Sequence, residues 1–418
     1  MNGFIRPRIV AHVLAVAAVL ATGCGERGKG RASRPRASKA DVASVVEGNS
    51  AFAFDLYAKL KTAKGNLIFS PCSISTALAM TYAGARGDTA AEMEKTLRFA
   101  LGQDALHPAM ADLVDDLNAR GGDEGKAAYE LVVANRLWGQ SGYNFLAPFL
   151  ELNRTYYGAG LELVDFARAT EAARKKINAW VEDQTRDKIR ELLKPGVLNA
   201  LTRLVLTNAI YFKGNWASEF KKERTADAPF HVTPEKTVDA PMMRQTEKFG
   251  YAETGDVQVL DMPYVGDDLS MTILLPKKAD SLGDVEASLS AAQLKTWIAR
   301  LREEKVAVFL PRFKVEFGLG LSETLKAMGM PLAFSNAADF SGMDGTRDLY
   351  ITAVIHKAFV EVNEEGTEAA AATGVVVGLK SAPMKPLVFR ADRPFVFLIR
   401  DRATGSVLFI GRVTDPTA

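Results

Sequence analysis

Residues 366–373 spell Gly366, Thr367, Glu368, Ala369, Ala370, Ala371, Ala372 and Thr373, and a Lys380, Ser381 pair begins fourteen positions after Gly366. Strand side chains alternate between faces. One face of this segment would carry Thr367, Ala369, Ala371, Thr373, Val375 and Val377, all small or apolar and none charged. The other would carry Glu368, Ala370, Ala372, Gly374, Val376 and Gly378, with one charge. No proline occurs from residue 364 to 382, and Pro383 and Pro386 follow. A central strand excludes proline because the ring removes a ladder donor. The alanines favour a helix on propensity, but Gly374, Gly378 and three successive valines argue against a helix through Gly378. The segment is chemically fit to become a strand inside a sheet, with a cleavable basic site downstream.

The start of the chain has a different character. Arg6 and Arg8 precede an apolar stretch, residues 9–21, broken only by His12. This is a signal-peptide pattern, too short to span a bilayer. It runs into Leu20, Ala21, Thr22, Gly23 and Cys24, the pattern of a bacterial lipobox, although Ala21 stands where Leu is commonest. The expectation is a signal peptide over residues 1–23 and a lipid anchor on Cys24, whose thiolate would take the diacylglycerol. The protein would then be exported and anchored in a bacterial cell envelope, with plain secretion as the alternative. Arg27, Lys29, Arg31, Arg34, Arg36 and Lys39 face a single acid, Glu26, among Gly, Ser and Pro. Residues 24–45 therefore read as a basic disordered tether. Cys72 is the other cysteine. It reads as a small buried hydrophobe, and an acylated Cys24 leaves no disulfide to form.

Length alone would suggest two or three domains, but after residue 45 there is neither an internal repeat nor a compositional break. A net charge of +2 gives no argument for nucleic acid as a partner. Phe52, Phe54, Leu56, Tyr57 and Leu60 recur at helical spacing within residues 49–64. Residues 73–83 are apolar nearly all round and read as a buried helix. Thr89 followed by Glu92 reads as a capping box opening the next helix. Residues 177–193 read as a helix with Ile177, Trp180, Val181, Thr185, Ile189 and Leu192 on one face. Strands are expected at 131–137, 204–212, 270–275 and 305–310. A closing hairpin, 395–400 with 407–413, should turn at Thr404 and Gly405. Helices dominate early and strands late, which indicates an α+β fold.

An enzyme is not expected. There is no Gly-x-Ser-x-Gly elbow, no metal-ligand spacing and no phosphate loop. Only four histidines occur, at positions 12, 107, 231 and 356. No cofactor or metal is implied. Arg86, Gly87 and Asp88 spell an adhesion tripeptide, which reads as a chance match, and Asn153, Arg154 and Thr155 a glycosylation sequon, which has little meaning behind a bacterial lipobox.

The residues around the hinge run, from His356 through Glu364 and Glu365 to Thr373, resemble the proximal hinge of the serpins. So do Phe389, Arg390, Ala391, Asp392, Arg393, Pro394 and Phe395. The close from Leu408 to Val413 with Pro416 matches the family too. Upstream, Asn66 to Pro71 with Ser73 and Ile74, Thr207 to Gly214 with Trp216, and Pro241, Met242 and Met243 match in the same order. The resemblance covers about Val46 to Pro416. It implies one large domain over residues 46–418, with helices packed around three β-sheets and an exposed reactive loop, and a monomer that traps a serine protease. The target would attack the loop and form an acyl-enzyme, and the freed loop would insert into the main sheet of a metastable fold.

The resemblance also assigns roles. The reactive bond would lie between Lys380 and Ser381, since the commonest family spacing puts it fourteen residues after Gly366. Lys380 is also the only basic residue between Gly366 and Pro383. A lysine there implies a trypsin-like target with an acidic pocket; cleavage after Leu379 would suit a chymotrypsin-like one. Ser70, Ser73, Asn208 and His356 match the shutter, where the sheet opens. Glu364 and Arg312, with Trp216 nearby, match the breach at the top of the hinge. Asp112, Asp115, Asp116 and Asp123 make the segment after the third helix acidic, so activation by a polyanion is not expected. The alternatives are a non-inhibitory member acting as chaperone or binding protein, or an inhibitor of a cysteine protease.

Overall fold

The computed structural model describes residues 34–121, 129–158, 160–367 and 386–418. The helices are α1 (Lys39–Leu60), α2 (Pro71–Tyr82), α3 (Gly87–Leu97), α4 (Gln103–Gly121), α5 (Ala147–Tyr157), α6 (Phe166–Gln184), α7 (Leu282–Ser288), α8 (Ala291–Ala299), α9 (Ser322–Met328) and α10 (Ser341–Asp344). The strands are β1 (Leu67–Phe69), β2 (Tyr129–Gln140), β3 (Leu161–Val164), β4 (Leu204–Asn215), β5 (Ala226–His231), β6 (Thr237–Thr254), β7 (Val257–Pro263) and β8 (Leu269–Pro276). They continue with β9 (Arg302–Pro311), β10 (Phe313–Gly320), β11 (Ala353–Val362), β12 (Gly366–Thr367), β13 (Leu387–Arg390), β14 (Phe395–Asp401) and β15 (Val407–Val413). The architecture is α+β, as the order of helices and strands implies.

Two hydrogen-bonded sheets organise it where three were expected, because the long β6 pairs with β9 along most of its length and with β7 at its end, joining two of them. A six-stranded sheet runs β10-β11-β12-β4-β2-β3, and a nine-stranded one runs β1-β15-β14-β8-β7-β6-β9-β13 with β5 on β6. The closing hairpin is β14 and β15, buried along its whole length. Phe52, Leu56, Phe69, Leu78, Phe397 and Phe409 share the principal core under α1 and α2. On the opposite face of the six-stranded sheet, Ile177 and Val181 of α6 pack over Trp138, Val132, Tyr211 and Phe359.

Several local expectations change. α1 begins at Lys39, inside the stretch read as tether, and Arg34 is docked as well. Its guanidinium meets Asp112 at 2.7 Å and Asp115 at 2.5 Å on α4. Those carboxylates neutralise Arg34, and Asp112 and Asp116 lie 3.4 Å from Arg36, while residues 24–33 lie outside the described residues. Thr89 does not cap α3, whose N-cap is Arg86. The Thr89 hydroxyl instead accepts from the backbone N–H of Asp339. α6 ends at Gln184, eight residues short of where its apolar periodicity runs. Arg186, Asp187 and Glu191 take positive φ, so residues 185–193 form a strap. Its Ile189, Leu192 and Leu193 are still buried. The sequon is closed, because Asn153 is 1% exposed and its amide donates to the carbonyls of Phe149 and Met80. Arg86 is likewise engaged, donating to the carbonyls of Ala83 and Ala85.

Candidate functional site

The hinge enters the six-stranded sheet where two strands part. β11 and β4 run parallel, in register from Ala353 opposite Val205 to Phe359 opposite Tyr211. Above that point the chain leaves β11 at Val362, turns through Asn363, Glu364 and Glu365, and re-enters as β12. Thr367 then lies between Val362 and Gly214, antiparallel to both, and Gly366 faces Asn215. Asn363 makes the turn, its side-chain oxygen accepting from the N–H groups of Glu365 and Gly366 at 3.0 and 3.3 Å. Gly366 is required there. Its φ is +152°, and a Cβ would stand 2.1 Å from the carbonyl oxygen of Gly214.

Thr367 is fully buried, and its hydroxyl shares a 2.8 Å hydrogen bond with that of Tyr264. Tyr264 stacks on Trp216 with ring centroids 4.7 Å apart and planes 9° apart. The Trp216 indole N–H donates to the carbonyl of Asn363 at 3.0 Å, and its backbone N–H to Glu365. Below this stack Glu364 is 2% exposed. It accepts from the Arg312 guanidinium at 2.8 and 2.9 Å and from the Thr225 hydroxyl. Burial pushes the Glu364 carboxyl up, but the bonds from Arg312 and Thr225 outweigh it, and the carboxyl ends below its usual range. The structure thus joins Arg312 to Glu364 and sets Trp216 against the carbonyls of the flanking Asn363 and Glu365. Tyr264 and Thr225, which complete the group, lie far apart in sequence and carry no local signal.

The second cluster lies lower on the same seam. Asn135, Asn208 and His356 stand in one row across β2, β4 and β11. Ser70 and Ser73 meet them from the start of α2, where the Ser70 hydroxyl caps the helix by accepting from Ser73 N–H. The backbone N–H of Ser70 donates to His356 Nε2 at 3.2 Å. His356 Nε2 is therefore an acceptor, and its Nδ1 donates to the side-chain oxygen of Asn208. The Asn208 amide donates to Ser73 Oγ at 2.5 Å and also to the Asn135 oxygen. Burial lowers His356 to about 3, so the ring is neutral at pH 7. All four residues expected at the shutter are brought together. Asn135 is the member that sequence reading missed, although a lone amide inside an apolar strand run was a usable signal.

Glu368, Ala369, Ala370, Ala371, Ala372, Thr373, Lys380, Ser381 and Cys24 lie outside the described residues. Among the described residues no group of acidic, histidine and cysteine side chains could hold a metal. Cys72 is buried, and desolvation pushes its thiol up to about 12, so it is chemically quiet.

Comparison with known proteins fits this geometry. Residues 47–416 match the family described as Serpin (serine protease inhibitor). The chain is 46% identical to rat leukocyte elastase inhibitor A over 380 residues, covering 88% of this chain and 98% of the relative. It is 45% identical to human leukocyte elastase inhibitor with the same coverage. The crystal structure of uncleaved ovalbumin superimposes with a TM-score of 0.81 at 32% identity, covering 89% of this chain and all of ovalbumin. Two expectations change. The relatives come from rat and human, which overturns the placement in a bacterial envelope, and that placement is withdrawn. No helix among the described residues is long and apolar enough to cross a membrane. The bare expectation of no enzymatic activity is replaced by a narrower statement: the relatives are named as inhibitors of an enzyme.

Proposed function

The chain belongs to the serpin family, and from that premise we propose that it is a suicide inhibitor of serine proteases. The observation that carries this reading is the seating of Thr367. It is the first inward residue of a strand that fits between β11 and β4 in a register requiring no slip. Six residues further on, Thr373 would meet positions six back from Val362 and Gly214. Those are His356 and Asn208, which face each other across the seam now. Insertion therefore only has to part the two strands. Thr367, Ala369, Ala371 and Thr373 would all point to the core side, and each is small enough for it. The domain doing this work spans residues 46–418, with α1 extending it back to Lys39.

In this mechanism the hydroxyl of the protease serine adds to the carbonyl carbon of Lys380. The bond to the nitrogen of Ser381 breaks, and Lys380 remains attached as an ester. Ser381 leaves as a new amine terminus. The freed segment then zips into the seam, exchanging the His356–Asn208 bond for contacts with Thr373. It carries the ester-linked protease to the far end of the sheet. Lys380 suits a trypsin-like pocket.

A second reading of the target is favoured by the relatives' names, which specify elastase. An elastase pocket is small and apolar, and the bond after Leu379 would then compete. One experiment tests both. The protein is mixed separately with trypsin and with leukocyte elastase and run on a denaturing gel, and the released peptide is weighed. A boiling-stable band at the summed mass with a peptide beginning at Ser381 supports the trypsin-like reading. A band with elastase and a peptide beginning at Lys380 supports the second. Cleavage by both without a band would sink the inhibitory reading.

A further inference from the structure

At one end of the nine-stranded sheet, β6, β9 and β13 place three residues in a row. Arg244 faces Phe309, and Phe309 faces Arg390. The Arg390 guanidinium carbon lies 3.7 Å from the Phe309 ring centroid, and that of Arg244 lies 5.2 Å from it. One ring thus carries two cations. On the same face, the next row holds Val388, which is 50% exposed. The row after that sets Lys248 opposite Lys305. Lys248 is neutralised by Glu303 at 2.7 Å. Among the described residues, Arg244, Arg390 and Lys305 have no ion-pair partner.

Two like charges on one ring repel, and an exposed cation–π contact recovers only about 0.5–1 kcal/mol. The arrangement does little for stability. Unneutralised charge on a firm sheet face is instead well suited to steering an anionic partner. The chain indicates which partner. β13 starts at Leu387, seven positions after Lys380. Seven residues span at most about 25 Å, so a protease seated on Lys380 is kept beside this face.

We propose that Arg244, Phe309 and Arg390 form a docking surface for an acidic patch on the target protease. The surface speeds encounter and helps to choose among proteases with the same pocket. It rests on the inhibitory reading with Lys380 at the bond. The test uses an anionic and a cationic trypsin, which share a specificity but differ in surface charge. The wild-type protein should inhibit the anionic form about tenfold faster at low salt, with the preference fading toward 0.5 M salt. The double variant Arg244→Gln/Arg390→Gln should lose that preference, and Arg390→Glu should shift it toward the cationic form. Unfolding temperature should stay unchanged in both variants. Equal rates for the two trypsins, or a preference kept by the double variant, overturns the proposal. A parallel binding measurement uses anionic trypsin whose catalytic serine is replaced by alanine. If active trypsin forms no covalent complex, the inhibitory reading fails, and this binding decides the surface alone. Salt-sensitive binding lost in the double variant upholds it; equal binding, or none, overturns it.

Discussion

Replacing Thr367 by arginine should convert the protein from an inhibitor into a substrate. Thr367 has no exposed surface, its hydroxyl is bonded to Tyr264 at 2.8 Å, and backbone closes on it from Val362 and Gly214. An arginine there would be buried beside the Trp216–Tyr264 stack with no carboxylate to meet it, since Glu364 is already engaged by Arg312. An uncompensated buried charge costs about 3–5 kcal/mol. Partial escape of the side chain toward the sheet top trims this toward about 3 kcal/mol. Because Thr367 is already seated between β11 and β4, the arginine would expel the hinge at rest, and the cost then falls on its re-entry, the step that competes with deacylation. At 1.36 kcal/mol per decade, insertion slows by about a hundredfold or more. The stoichiometry of inhibition should rise from near one to well above ten, with cleavage at Lys380 intact. Titration of trypsin against the variant, read by residual activity and by denaturing gel, measures this. Thr367→Val is the control. It keeps the volume, loses one hydrogen bond of about 1 kcal/mol, and should still trap. A boiling-stable complex formed by Thr367→Arg at near one-to-one stoichiometry would refute the argument.

Other outcomes follow from the same residues. Lys380→Leu should abolish trypsin inhibition while the cleaved loop still raises the unfolding temperature; inhibition surviving in that variant would mean the bond lies elsewhere. Gly366→Ala puts a methyl group against the Gly214 carbonyl, so it should expel the hinge. Limited proteolysis near residue 367 should then be at least several-fold faster than in the wild type. The Glu364 carboxyl is lowered in the folded state, so its contribution is full above the unfolded carboxylate value, near 4.3, and is lost as pH falls through the folded one. Glu364→Gln should flatten the fall in unfolding temperature below pH 4.5. His356 is lowered to about 3, so stability should also decline as pH falls from about 6.5, where the unfolded ring begins to take a proton. A variant with Gln at His356 should lose that part of the slope, and an unchanged slope would show that another group is responsible.

Much of this site was legible because its chemistry is local. The alternating small face after Gly366 follows from side-chain period alone, whereas the need for glycine before Thr367 shows only in the structure, where a Cβ would meet the Gly214 carbonyl. What escaped was chemistry assembled at long range. Tyr264 reaches Thr367 from 103 positions away, and Thr225 reaches Glu364 from 139. No periodicity ties such pairs together. Residues 185–193 misled for a related reason. Ile189 and Leu192 keep helical spacing because they pack on the sheet, while Arg186, Asp187 and Glu191 bend the backbone into a strap. Burial preserves the pattern without the helix. The basic stretch before α1 misled through its composition. Six cations against one acid read as disorder, yet Arg34, the first described of them, finds its charges in Asp112 and Asp115 on α4.

The two polar clusters gain their meaning from their places on one seam. At the top, the hinge already separates β11 from β4, and the cost of that opening is offset by the Glu364–Arg312 pair and the Trp216–Tyr264 stack. Six residues lower, His356 and Asn208 still bond across the closed seam. Between these points backbone ladder bonds and side-chain packing hold the strands together, with Tyr211 and Phe359 on the face that α6 covers. A strand that starts to insert must give up each of those bonds before replacing it with two, one to each neighbour. The one bond gained per residue, about 0.5–1.5 kcal/mol, only roughly offsets the cost of ordering that residue, about 1–2 kcal/mol, so burial of the small uncharged side chains tips the balance. The barrier therefore belongs to the residues that lock the two ends, and the driving force to the uncharged residues in between. That division explains why small substitutions at Thr367, Glu364 or His356 should decide between trapping and release, although none of the three touches a protease.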